Sequence, residues 1–163
     1  MKLTLRTKIQ LGAIFVLVVL VLSLILSQKA SPDFPPLFSL KRIQEKAFLT
    51  FKSNPVEKVD YMSNLLDHRL QELQNVFNHK NYEYILPSAN RYFTLAGEIT
   101  DLIIANHLTD KIEPIKKQFL SHQKVLNDLY ILYPKNTDNT EYKYIEDDIN
   151  YLKLYLDKLQ TVK

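Results

Sequence analysis

The chain has 163 residues, a formal net charge of +3, no cysteine and two glycines. The absence of cysteine excludes disulfides, thiolate metal sites, cysteine nucleophiles and a lipidated N-terminal cysteine, so stability rests on packing. So few glycines argue against β-sandwiches and nucleotide-binding α/β folds, which need glycine at turns and phosphate loops.

The N-terminus is basic and then apolar. Ile9 to Leu26 reads IQLGAIFVLVVLVLSLIL, with Gln10 and Ser23 its only clearly polar residues. At a helical rise the run spans about 27 Å, close to a hydrocarbon core, and predicts a transmembrane helix in contact with the lipid bilayer. A cleaved signal peptide is the competing reading. Its apolar region is usually shorter, and the best cut, after Ala30, puts Gln28 at the −3 position, which suits it poorly. An uncleaved, single-pass anchor is therefore expected. Lys2, Arg6 and Lys8 before the run favour a cytoplasmic N-terminus and an extracytoplasmic C-terminal domain, although Lys41, Arg42 and Lys46 follow it. Those first three account for part of the 21 basic residues and leave 18 against 18 acidic ones. The remainder is thus neutral, with no electrostatic basis for binding nucleic acid.

The expected organisation is a tail and anchor over 1–29, a Pro-rich spacer over 30–37 and a helical domain over 38–163. Pro32, Pro35 and Pro36 favour an extended, semi-rigid spacer. Leu40, Ile43, Ala47 and Phe51 then mark a first, short amphipathic helix. Asn54-Pro55-Val56-Glu57 is a start signal, with Asn as cap and Pro at the first helical position. Val59, Met62, Leu66, Leu70, Leu73, Val76 and Phe77 form the apolar stripe of a second helix ending near Asn78 to Asn81. A third runs from about Tyr82 to Asn106 on Ile85, Ala89, Tyr92, Ala96, Ile99 and Ile103, with a kink expected at Pro87 and Ser88 as an alternative cap. A fourth begins near Asp110, with Glu113 completing a capping box, follows Ile112, Ile115, Phe119, His122, Leu126 and Leu129, and ends at Pro134. After a polar loop, Asp138 with Glu141 signals a fifth helix on Ile145, Ile149, Leu152, Leu156 and Leu159. Alternating steps of three and four keep each seam on one side. The fold expected is all-α: the transmembrane helix, then an antiparallel bundle of about four long helices plus one short one.

From Pro36 the chain reads PLFSLKRIQEKAFLTFKSNPVEKVDYMSNLLDHRLQELQNV. This resembles a bacterial family known as domain of unknown function 5667. Its members often carry PLYxLKRxxEK, a short DPxxK-like turn and a helix containing RLxEL. The matching positions are Pro36, Leu37, Phe38, Leu40, Lys41, Arg42, Glu45 and Lys46, then Asn54, Pro55 and Lys58, then Arg69, Leu70, Glu72 and Leu73. Phe38 departs from the usual Tyr and Asn54 from Asp. The match spans residues 36–76. It implies a membrane-tethered, exported helical domain and carries over no activity. Some members look like parts of envelope-sensing or anti-sigma systems.

Several constellations are candidates for function. Lys41, Arg42, Glu45 and Lys46 are placed to dock on Arg69 and Glu72, as helix-surface salt bridges or as a recognition patch. His68 shares a face with Glu72, and Asp110 lies near His107, but no HxxxH or ExxH pattern is present, so no metal ligands are assigned. His122 falls on an apolar stripe, where a buried or edge histidine is the plain reading. Glu146-Asp147-Asp148 suits either an ion or the start of a helix dipole. Of the ten tyrosines, Tyr142, Tyr144, Tyr151 and Tyr155 fall in the last helix and Tyr130 and Tyr133 before the loop. They form seam edges or an aromatic binding face, with Tyr151 and Tyr155 the candidate contacts.

There is no nucleophile triad, phosphate loop or metal motif, so no enzyme activity and no cofactor are expected. The function expected is an anchored interaction module that binds another envelope protein or itself. The alternative is a sensory or regulatory ectodomain acting through a membrane partner, because a tail of about eight residues is too short for an effector domain.

Overall fold

The computed structural model describes residues 14–19, 21–23, 25, 35–135 and 140–162. Two compact units result, Met1–Phe48 and Leu49–Lys163. All regular structure among the described residues is helical. In the predicted anchor, residues 14–19, 21–23 and 25 are helical, with Phe15, Leu17 and Ile25 exposed; its other residues lie outside the described ones. Among the described residues no helix is long and apolar enough to cross a membrane.

Helix α1 (Pro35–Phe51) begins inside the predicted spacer, whose residues 30–34 lie outside the described ones. Pro35 and Pro36 open the helix instead of extending the spacer, because the first turn needs no amide donor. The predicted seam is not the buried side: Ile43 is 66% and Phe51 83% exposed, and Ala47 is exposed too. Phe38 is buried instead, and Leu49, the first residue of the second unit, packs on that unit's core. α1 thus carries two apolar stripes, and spacing alone did not say which would be covered.

The second unit is a four-helix bundle of α2 (Pro55–Asn78), α3 (Ile85–Ala105), α4 (Thr109–Leu132) and α5 (Tyr142–Gln160). Asn54 caps α2 as predicted, its Oδ1 accepting from the Val56 amide at 2.9 Å. The predicted stripes of α2 to α5 are its core: Val59, Leu66, Leu73, Ile85, Tyr92, Ile99, Ile103, Phe119, Leu126, Ile145 and Leu152 are all fully buried. Other start signals differ. A 3₁₀ turn, Tyr82–Tyr84, precedes α3, so Pro87 sits in the first turn of an α-helix that starts at Ile85 rather than interrupting one that starts at Tyr82. Ser88 is a buried helical residue, not a cap. No capping box forms at Asp110; Glu113 accepts from Lys116 Nζ at 2.8 Å. Pro114 lies inside α4, where it removes one amide donor. Tyr133 ends α4 in extended conformation, as its position before Pro134 requires. Asp138 lies outside the described residues, and Glu141 precedes α5 without a side-chain cap.

Two short connections are built without glycine. Lys80 and His107 take φ of 59° and 51°. Each completes a paired C-terminal motif. Asn81 and Lys80 donate to the Val76 and Phe77 carbonyls at 3.0 Å, and Leu108 donates to Ile103 at 3.0 Å and His107 to Ile104 at 3.2 Å.

The helix order around the bundle is α2, α3, α5, α4. Asp60 pairs with Lys111, Ser63 with Gln118 and Asp67 with His122, so α2 and α4 run parallel. Phe93 meets Tyr151 and Asp101 meets Lys158, so α3 and α5 are also parallel. The α4–α5 hairpin is antiparallel, with Tyr133 against Tyr142 and Gln123 against Ile149. Helices adjacent in sequence therefore alternate in direction as expected, but α3 and α4 stand on a diagonal. At the hairpin end, Phe77, Tyr82, Tyr130, Tyr133 and Tyr142 form a cluster with centroids 4.9–6.3 Å apart, and Lys135 Nζ lies 3.4 Å from the Tyr130 centroid. These tyrosines close the bundle.

Gly97 permits the close approach of α3 and α5. A Cβ there would lie 2.7 Å from the Tyr155 hydroxyl oxygen and 3.0 Å from its Cζ. Gly97→Ala is expected to lose about 1–3 kcal/mol to overpacking, offset by about 1 kcal/mol of helix propensity. Chemical denaturation should show net destabilisation, which Tyr155→Phe lessens in the double variant by removing the closer of the two contacts.

Candidate functional site

A polar layer crosses the bundle with one residue from each helix. His122 lies on the α4 stripe and is buried. Its Nε2 is 2.8 Å from Asp67 Oδ1 on α2, and its Nδ1 is 2.9 Å from the Tyr92 hydroxyl on α3. With burial favouring the neutral imidazole, the arrangement that pairs both nitrogens has Nε2–H donating to Asp67 Oδ1 and Nδ1 accepting from the Tyr92 O–H. Asp67 is held from its solvent side by Gln118, whose Nε2 donates at 2.6 Å. Gln118 also donates to the Ser63 carbonyl at 2.9 Å and accepts from the Ser63 hydroxyl at 2.8 Å. Burial lowers the His122 pKa, against the opposing hydrogen bond and charge of Asp67. Burial raises that of Tyr92 well above its usual value, reinforced by Asp148 and Asp67. Burial thus favours a neutral imidazole and a neutral phenol in this layer.

Asp148 is the contribution of α5. It is fully buried, and neither carboxylate oxygen has a hydrogen-bond partner among the described residues. Burial, and secondarily the Asp147 charge, raises its pKa well above the usual carboxylate range. Burying a lone carboxylate costs far more than keeping its proton, so burial favours the neutral acid at Asp148. Of the acidic triplet, Glu146 and Asp147 face solvent, while Asp148 lies on the seam, between Ile145 and Leu152 in helical spacing. It fits neither the expected ion site nor a first-turn dipole partner. That spacing was the sequence signal for it; Tyr92 was on a predicted stripe too, but its pairing with His122, and Asp67 altogether, had no signal without knowledge of the α2–α4–α3 packing.

The other predicted residues fall in two units. Lys41, Arg42, Glu45 and Lys46 lie on α1 in the first unit; Arg69 and Glu72 lie on α2 in the second. Arg69 and Glu72 are not a surface pair: they are 7% and 5% exposed. Arg69 Nη1 donates to both Glu72 oxygens at 3.0 and 2.9 Å. Arg91 of α3 adds Nη2 at 3.5 Å from Glu72 Oε2 and donates to Ser88 Oγ at 3.3 Å. Tyr151 and Tyr155 differ from each other. Tyr151 is at the surface, its ring stacked on Phe93 at 4.4 Å and 14°. Tyr155 is buried over Gly97. Among the described residues no three His, Asp or Glu side chains are grouped to hold a metal ion.

Fold and site define an all-α bundle domain stitched by buried polar contacts between helices. The chain belongs to the family described as Domain of unknown function (DUF5667), whose family model matches residues 29–136. The match takes in α1 to α4, so α5, with Asp148 and Tyr151, lies beyond it. No curated protein and no solved structure matches the chain.

Proposed function

We propose that the chain is a membrane-anchored, extracytoplasmic helical interaction module. The Ile9–Leu26 run is the single-pass anchor, and the face shared by α3 and α5 binds another envelope protein or a second copy. The observation that carries this reading is the Phe93–Tyr151 stack, flanked by Leu86 and Leu154 at 38% and 47% exposure, with Tyr151 itself 38% exposed. Stacked aromatics beside exposed leucines suit an interface core. Support for the anchor comes from the uncharged length of the run and from Lys2, Arg6 and Lys8 before it.

Binding is preferred to catalysis because both His122 nitrogens are engaged and the ring is buried, leaving neither for a substrate. A sensory ectodomain is the second reading, favoured by the titratable Asp148 and His122 buried within one layer.

A photo-crosslinking residue placed at Tyr151, Leu154 or Lys117 of the full chain in native membranes tests the binding face. Adducts are expected at 151 and 154 and not at the exposed α4 position 117. An adduct of twice the chain mass identifies a second copy, and any other mass an envelope partner. Adducts at all three positions, or at none, sink the proposal.

A further inference from the structure

Helix α1 carries an exposed apolar stripe of its own. Ile43 and Phe48 are 66% and 60% exposed, and Ala47 between them is exposed. Leu40 and the terminal Phe51 extend the same stripe at helical spacing. Basic residues border it: Lys41 on the side of Phe48, and Arg42 and Lys46 on the side of Ile43, against one acidic residue, Glu45. A large apolar residue set between lysine and arginine edges is the pattern of a helix lying in a lipid headgroup layer. The rings and branched chains enter the acyl boundary, and the basic heads reach back to anionic groups.

The position of α1 along the chain identifies the occupant. Only residues 27–34 separate Leu26 from Pro35. Fully extended, that span is about 30 Å at most, so α1 starts within one bilayer thickness of the end of the apolar run. We infer that α1 is an interfacial helix that lies on the bilayer surface, with Ile43, Ala47 and Phe48 in the headgroup–acyl boundary and Lys41, Arg42 and Lys46 on anionic lipid. The inference rests on the proposed anchor, whose run brings α1 to that surface.

The test uses the full chain reconstituted into vesicles containing phosphatidylglycerol. The chain has no cysteine, so one introduced cysteine takes a single environment-sensitive fluorophore. Ile43→Cys and Phe48→Cys report on α1, Val18→Cys on the anchor, and the exposed Ser121→Cys on the bundle. Nitroxide lipids labelled near the headgroup are expected to quench positions 43 and 48 several-fold more than 121. Nitroxides labelled deep in the chain should quench position 18.

Quenching at 18 but not at 43 or 48 overturns the inference and leaves the anchor standing. Quenching at 43 and 48 without 18 overturns the anchor and leaves α1 as a peripheral lipid-binding helix. Energy transfer between labelled copies at 43, with no lipid quenching, assigns the stripe to a second copy and overturns the inference. Equal quenching in vesicles of phosphatidylcholine alone overturns the role of Lys41, Arg42 and Lys46.

Discussion

Glu72→Ala is expected to destabilise the bundle by about 3–5 kcal/mol. Glu72 is 5% exposed and takes both hydrogen bonds from Arg69 Nη1, with Arg91 Nη2 3.5 Å away. Removing the carboxylate strips this counter-charge from a guanidinium that remains buried, and weakens the link between α2 and α3. The cost arises from the charge left behind rather than from the pair's own net worth. A combined Arg69→Met, Glu72→Leu variant therefore loses much less, because no buried charge is stranded on α2 and Arg91 has partial access to water. Urea denaturation of both variants, followed by far-ultraviolet circular dichroism, checks the order. Equal losses in the two would show that the contact is packing and not charge.

Asp148→Leu is expected to have the opposite sign, stabilising the fold at pH 8 by about 1–3 kcal/mol, the usual cost of an unsatisfied buried polar group. The pH dependence gives a second readout. The folded pKa of Asp148 is raised above 3.8, so between those values the folded state holds a proton that the unfolded state has lost. Stability from this group falls as pH rises through that window. His122 contributes the reverse slope. Its folded pKa is lowered from 6.5, so the unfolded state takes up the proton first as pH falls, and stability falls with it below 6.5. Wild-type stability is thus eroded from both sides. Asp148→Leu should abolish the alkaline-side loss and leave the acidic-side loss of His122. Denaturation midpoints of both chains from pH 4 to 9 test this, and parallel curves would refute the neutral-acid assignment.

The seams of α2 to α5 were legible because burial follows helical periodicity. Leu66, Ile99, Phe119 and Leu152 were all on predicted stripes, and all are fully buried. Family membership was legible too. The short order of motifs around Lys41, Asn54-Pro55 and Arg69 sufficed, although the family match reaches much further, through residues 29–136. Local start signals were less secure. Asn54 caps as read, since its partner Val56 is two residues away. Asp110 with Glu113 does not, since Glu113 has Lys116 within reach.

By itself, the sequence determined the helical class, most helix positions, the buried seams of α2 to α5 and the family. These follow from local propensity and from a period fixed by backbone geometry. Tertiary structure alone decided the rest. Periodicity states that a face is covered but not by which helix, so the diagonal placement of α3 and α4 and the α2, α3, α5, α4 order were not readable. With that order came the pairing of Asp67, His122 and Tyr92, residues up to 55 positions apart. Only there did Arg69 and Glu72 change from a surface pair to a buried one. Only there did Asp148 become a buried acid with no hydrogen-bond partner among the described residues. Charge cost and proton affinity depend on the medium around a group, and that medium exists only once the helices have packed.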